Sequence, residues 1–190
     1  MLKKTTARKN AVIMFLLTAV FSAAVICFMF FKVCPLRYPA LVYEYSEKYD
    51  LEPEIVCAVI NTESHFDENA VSSAGAAGLM QLMKPTADWA AEEIGIEDYS
   101  YENIKDPKLN IEIGCWFLNS LIYRYGDLET ALCAYNAGSG NVDKWLDEGT
   151  EDGTLTDIPF FETRNYISRV KTHIVAYRCI LKFIGGKYEG

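Results

Sequence analysis

Apolar positions recur along most of this chain at intervals of three and four, the spacing of one helix face. Val56, Val59, Ile60 and Glu63 fall on such a stripe, whose first three members suit a core and whose fourth is a carboxylate. Further helical patterns run over 40–49, from Pro85 through Trp89 to Ile94, and along Leu109, Ile113, Trp116, Phe117, Leu121 and Tyr125. A last stripe repeats Tyr166, Val170, Ile174, Tyr177, Leu181 and Ile184 before Gly185-Gly186. Pro53 suits the first turn of the helix carrying Glu63, Asp106-Pro107 pairs an N-cap with a first-turn proline, and Asp127 caps a helix that ends at Gly138. Residues 65–78 are too rich in Asn, Ser, Gly and Ala to keep an apolar period and read as a loop. No run alternates convincingly with period two, so the expected fold class is all-α.

The N-terminal pattern is of another kind. Residues 11–31, "AVIMFLLTAVFSAAVICFMFF", are 21 positions without a charge, long enough to cross a hydrocarbon layer of ~30 Å as a helix. Lys3, Lys4, Arg8 and Lys9 precede it, which orients residues 1–10 to the cytoplasm and everything after Lys32 to the outer face. A cleaved signal peptide competes, because Ser22-Ala23-Ala24 offers small residues, but the apolar run continues past that point. Residues 32–37, with Pro35, form a short linker that spans at most ~20 Å and holds a domain at 38–190 close to the membrane.

Charge narrows the partners. Four of the 18 cations and none of the 26 acids precede Lys32, so the remainder carries 14 cations against 26 acids, a net of −12. Such a domain repels nucleic acid and anionic lipid. Cys57, Cys115, Cys133 and Cys179 sit inside helical patterns without a C-x-x-C; they read as small buried hydrophobes, with one or two disulfides the alternative. His65 and His173 have no third ligand candidate, so no metal site and no cofactor is expected.

A carboxyl on an apolar face resists ionisation, and a pKa raised to ~6–7 would let it donate a proton near neutrality. The competing reading makes Glu63 the first solvated residue past the helix core. The surrounding blocks weigh against that alternative. "ESHFDENAVSSAGAAGLMQLMKPTA" (63–87) resembles the Slt-type lytic transglycosylases, whose motif runs Glu-Ser-x-Phe, Ala-x-Ser, Gly-Ala-x-Gly-Leu-Met-Gln, Thr-Ala. "DPKLNIEIGCWFLNSL" (106–121), "ALCAYNAGSGNVDKW" (131–145) and "IPFFETRNYISRV" (158–170) are similar to three further family blocks, in order.

The resemblance implies a lysozyme-like helical fold of the goose-type/Slt kind behind one transmembrane helix. It makes Glu63 the catalytic acid and then base, and sets Ser72, Gln81, Met83, Tyr135, Asn136 and Glu162 along a glycan groove, with Tyr166 close to the catalytic carboxyl. Ser64 is expected to shape the turn. Glu68 stands where the family usually has proline, and Lys84-Pro85 replaces a proline one place earlier.

Each transferred residue also has a plain physical reading. Gln81 can donate and accept at once, as an N-acetyl group requires, or be a surface polar residue. Gly75 and Gly78 allow close approach of a sugar to backbone, or form an ordinary turn. Trp89, Trp116 and Trp145 read as packing residues, with Trp145 a second candidate for the groove wall. The implied activity is cleavage of the MurNAc-β-1,4-GlcNAc bond of bacterial peptidoglycan to a 1,6-anhydro end, without water. A hydrolytic muramidase and an inactive cell-wall-binding protein are the alternatives, and any envelope-assembly or divisome-type partners are unknown.

Overall fold

The computed structural model describes residues 13–22, 25, 32–147, 155 and 158–184. The chain divides into two compact units, 1–35 and 36–190. In the first, residues 13–22 are helical, with Ile13, Phe15, Leu17 and Phe21 exposed. Among the described residues no helix is long and apolar enough to cross a membrane. Positions 11, 12, 23, 24 and 26–31 of the expected span, Cys27 included, lie outside the described residues.

The second unit is all-helical among its described residues, apart from isolated β-bridges joining Val71 to Ala77 and Ala77 to Leu82. Its helices are α1 (Pro39–Lys48), α2 (Pro53–Ser64), α3 (Lys84–Ile94), α4 (Pro107–Tyr125), α5 (Leu128–Ala137), α6 (Ser139–Asp147) and α7 (Phe161–Ile184), with a 3-10 turn at Tyr101–Asn103. The local signals act as expected. Asp106 accepts from Leu109 N (3.0 Å) and Asp127 from Thr130 N (2.9 Å), while Gly126 closes α4 at φ 79°. Helix α6 and the 3-10 turn were not separately expected.

Helix α2 is the centre of the unit. Residues 56–60 are all at 0% exposure, so the helix is enclosed rather than buried along one stripe. Its largest contact is with α7, and α1 packs beside it. Helix α7 presents Tyr166, Ile167, Val170, Ile174 and Tyr177, all buried. Helices α3, α4 and α5 pack in succession, and α5 also reaches α7. Because α2 runs through the core and stops at Ser64, its last turn emerges between α7 and loop 65–83.

Cys34, Cys57, Cys115 and Cys133 are free and buried, and Cys179 is free and exposed on α7. The small-hydrophobe reading therefore fits Cys57, Cys115 and Cys133, and Cys179 departs from it.

Candidate active site

Glu63 occupies the last turn of α2, half-buried. Burial pushes its carboxyl from the ordinary 4.5 up to about 7, against the opposing pull of the Tyr166 hydroxyl and the Arg169 positive charge. The enclosed helix explains this. A residue one turn beyond Ile60 cannot reach bulk water freely, yet the chain leaves the helix there and opens one side. At neutral pH about half of such carboxyls hold a proton.

Two tyrosines wall the carboxyl. Tyr166, 2% exposed on α7, has a buried hydroxyl with no partner at ordinary hydrogen-bond geometry, although it lies close enough to Glu63 to favour the carboxylate. Tyr135, at the end of α5, donates to the Met80 carbonyl (2.7 Å). Burial, followed by the neighbouring Glu63 charge, pushes both phenols well above their ordinary value. They are therefore neutral donors. Beneath Glu63, the Thr62 hydroxyl donates to the Ala58 carbonyl (2.7 Å), so at 2.9 Å it accepts from His173 Nδ1–H. Burial, then the Arg169 charge, lowers the His173 pKa and keeps it uncharged at neutral pH.

Loop 65–83 is shaped by bonds that its sequence does not announce. His65, Phe66 and Gln81 take positive φ (54°, 61° and 47°), uncommon for side-chain-bearing residues. Ser64 Oγ donates to the Leu79 carbonyl (2.7 Å), tying the end of α2 to the loop, in keeping with its expected turn-shaping part. Buried Asn110 of α4 accepts from Met80 N (2.7 Å) and donates to the carbonyls of Ala77 (3.1 Å) and Ile104 (2.9 Å). A Cβ on Gly78 would fall 2.2 Å from Asn110 Nδ2, so that glycine makes room for Asn110 rather than for a sugar. Glu68, standing where proline is usual in the Slt-type motif, accepts from the Tyr38 hydroxyl, and Arg37 Nη1 reaches the Phe66 carbonyl (3.5 Å).

The other expected site residues divide into two groups. Gln81, Met83, Tyr135 and Asn136 line one groove of about 580 Å³, together with Trp89 and Phe117. Glu63 is outside that lining, and Tyr135 links the two, its ring on the groove and its hydroxyl in the field of the carboxylate. Gln81 Nε2 donates to the carbonyls of Ala70 (3.1 Å) and Gly78 (2.9 Å), so only its Oε1 is left to meet a ligand. Asn136 Oδ1 accepts from Thr163 Oγ1 (2.8 Å), leaving its N–H groups. Ser72 lies apart from this groove's lining and closes a turn, accepting from Ala76 N at its Oγ (3.0 Å). Glu162 is exposed on the first turn of α7, next to the Thr163 that holds Asn136.

Sequence reasoning missed two residues. Asn110 lay inside a recognised block, but nothing marked it as the anchor of the loop. Trp89, expected to pack, is 45% exposed and forms a groove wall. Trp145 meets Phe160 edge-on at 4.8 Å. Among the described residues no cluster of His, Cys, Asp and Glu could hold a metal ion.

The Tyr135–Met80 bond joins α5 to the loop at the mouth of the site. Tyr135→Phe is expected to leave that carbonyl without its donor and to cost about 1–2 kcal/mol, read as a lower denaturation midpoint with an unchanged slope.

The comparisons with known proteins agree with this geometry. The soluble lytic murein transglycosylase of Salmonella typhimurium is 34% identical over 161 residues, 80% of this chain but 24% of its own length. Membrane-bound lytic murein transglycosylase C of Serratia proteamaculans is 31% identical over 169 residues, covering 75% of this chain and 47% of that protein. Among solved structures, an inactive mutant of the lytic transglycosylase Slt from Pseudomonas aeruginosa superposes with a TM-score of 0.72 at 32% identity, over 78% of this chain and 25% of that one. The chain thus spans about a quarter of the length of the Salmonella relative. The family model described as the Transglycosylase SLT domain matches residues 40–157, more than half of the sequence and the stretch that carries Glu63, loop 65–83 and Tyr135; the chain belongs to that family.

Proposed function

We propose that the protein is a membrane-anchored peptidoglycan lytic transglycosylase in which Glu63 is the acid and then the base. The observation that carries this reading is a carboxyl with a pKa of about 7 at the open end of a core helix, walled by two neutral tyrosines. Protonated Glu63 gives its hydrogen to the oxygen leaving C1 of N-acetylmuramic acid, and the C1–O bond breaks. The C6 hydroxyl of the same sugar attacks C1, and its proton passes to the Glu63 carboxylate. The acid is regenerated, no water is consumed, and a 1,6-anhydro ring results.

One carboxyl suffices because the nucleophile belongs to the substrate, whereas ordinary glycoside hydrolysis requires two carboxylates. The nearby acids support that count. Glu68 is held by Tyr38, and Asp67 accepts from Asn69 N (3.0 Å) in its own loop turn. In this reading Gln81, Met83, Tyr135, Asn136 and Glu162 bind glycan, Ser72 holds the turn of loop 65–83 rather than the glycan, and Tyr166 orients the Glu63 proton.

The anchor is part of the same proposal: residues 1–10 cytoplasmic, 11–31 crossing the membrane, 32–37 a linker, and 38–190 the catalytic domain on the wall side. The uncharged 21-residue run, the cations preceding it and the membrane-bound relative support this arrangement. Digestion of purified peptidoglycan by the protein, with end groups read by mass spectrometry, should yield anhydromuramyl ends. Fragments heavier by one water would make it a hydrolytic muramidase, and an uncut substrate would leave only a wall-binding role.

A further inference from the structure

We propose that Trp89 is a stacking platform for an N-acetylhexosamine ring of the glycan strand, at a position beyond the bond cleaved beside Glu63. This rests on the glycan-cleaving reading above and assigns Trp89 a place within it.

Helix α3 buries small side chains, with Ala87, Ala90 and Ala91 at 0–2% exposure, while its one tryptophan stands 45% exposed. Leaving an indole in water forfeits the burial that usually stabilises it. It is not free to turn. Trp116 meets it edge-on at 5.0 Å and 69°, and Phe117 at 6.3 Å and 87°. A ring fixed before binding loses little conformational freedom when a ligand arrives.

Phe117 continues to Tyr135 at 5.3 Å, so a run of aromatic rings leads from the neighbourhood of Glu63 out to Trp89. Exposed Met83 (41%) lines the same groove. Trp89 lines the groove from which Glu63 is absent, a placement that suits a neighbouring sugar in the strand rather than the reacting one.

The polar groups on the groove identify the occupant. Gln81 offers one acceptor, Oε1, because its N–H groups are held by Ala70 and Gly78. Asn136 offers donors, because its Oδ1 is held by Thr163. One acceptor and one donor set match an acetamido group, which has one N–H and one carbonyl. The apolar C–H face of a pyranose suits the indole, and a net charge of −12 from Lys32 onward favours a neutral ligand over an anionic one.

The test uses the full chain in detergent micelles, carrying Glu63→Gln so that no turnover occurs, titrated with a β-1,4 tetramer of N-acetylglucosamine. Adding Trp89→Ala is expected to weaken binding about tenfold and Trp89→Tyr to hold it within about threefold, both titrated well below their melting temperatures because losing the indole also loses its contacts with Trp116 and Phe117. A glucose tetramer, lacking the acetamido group, should bind about tenfold more weakly. Unchanged affinity in the folded Trp89→Ala protein, or a loss in Trp89→Tyr as large as in Trp89→Ala, overturns the platform; equal binding of the glucose tetramer overturns the acetamido assignment. Wild-type protein that leaves peptidoglycan uncut, while the Glu63→Gln titration still depends on Trp89, would remove the catalytic reading and keep the platform.

Discussion

Glu63→Gln is expected to lower glycan cleavage by about 10²–10⁴-fold while the helical domain stays folded. Glutamine keeps the shape and polarity of the protonated acid, so the wall formed by Tyr135 and Tyr166 has no reason to rearrange. It cannot deliver a proton to the bridging oxygen or accept one from the C6 hydroxyl. Wild-type cleavage should fall with a one-proton slope as pH rises through about 7, because the acid form is then lost. A wild-type profile flat across the neutral range would exclude Glu63 as the acid.

The same substitution has a stability signature of opposite sign. Glu63 titrates at about 7 in the fold against an ordinary 4.5. Between those values the folded chain holds a proton that the unfolded chain has released, so stability declines as pH rises through the window. Below 4.5 both states are protonated and the difference vanishes; above 7 the full cost of an ionised, desolvated carboxyl is present, roughly 3 kcal/mol. Denaturant melts of the Gln variant should match wild type at low pH and show greater stability at mildly alkaline pH. Losing activity while gaining stability is the mark of a residue kept for chemistry.

Asn110→Ala is expected to have the largest effect on folding. The side chain is at 0% exposure and satisfies Met80 N, the Ala77 carbonyl and the Ile104 carbonyl together. Alanine leaves Met80 N and the Ile104 carbonyl unpaired, while the Ala77 carbonyl keeps its bond from Leu82 N (3.0 Å); at about 1–3 kcal/mol for each lost partner the total is about 2–4 kcal/mol. The melting temperature should fall by on the order of 10 °C. Asn110→Asp should not rescue it, since a carboxylate would face two carbonyl oxygens. Activity should fall as well, because Met80 also receives the Tyr135 hydroxyl and Gln81 follows it directly. A variant with native stability would mean that the loop is held by something other than Asn110.

How much was legible beforehand depends on the range of the forces involved. Helix starts at Pro53, Asp106-Pro107 and Asp127, and stops at Gly126 and Gly138, could be read directly, because caps and prolines act within a few residues. Glu63 was legible through its place on an apolar stripe and the motif around it. Gln81 was legible as a groove residue but not in its valence: its N–H groups are spent on Ala70 and Gly78 in a folded loop where Gln81 takes a positive φ, and periodicity encodes neither. Trp89 and Trp116 carry the same helical signal, yet one is exposed and the other half-buried, because only the packing of α3 on α4 decides which ring is outermost.

By itself, then, the order of residues determined an all-helical domain, where several of its helices begin and end, and which carboxylate ends the core helix at the candidate site, since each depends on neighbours near in sequence or on a contiguous motif. It also marked an uncharged run at the N-terminus of the right length to span a membrane. Tertiary structure alone decided how strongly Glu63 holds its proton, which donors and acceptors the groove keeps free, and that Asn110 rather than a sugar fills the space beside Gly78. Those properties arise where α2, α4, α5, α7 and loop 65–83 meet, and desolvation and hydrogen-bond saturation are set by atoms that only folding brings together.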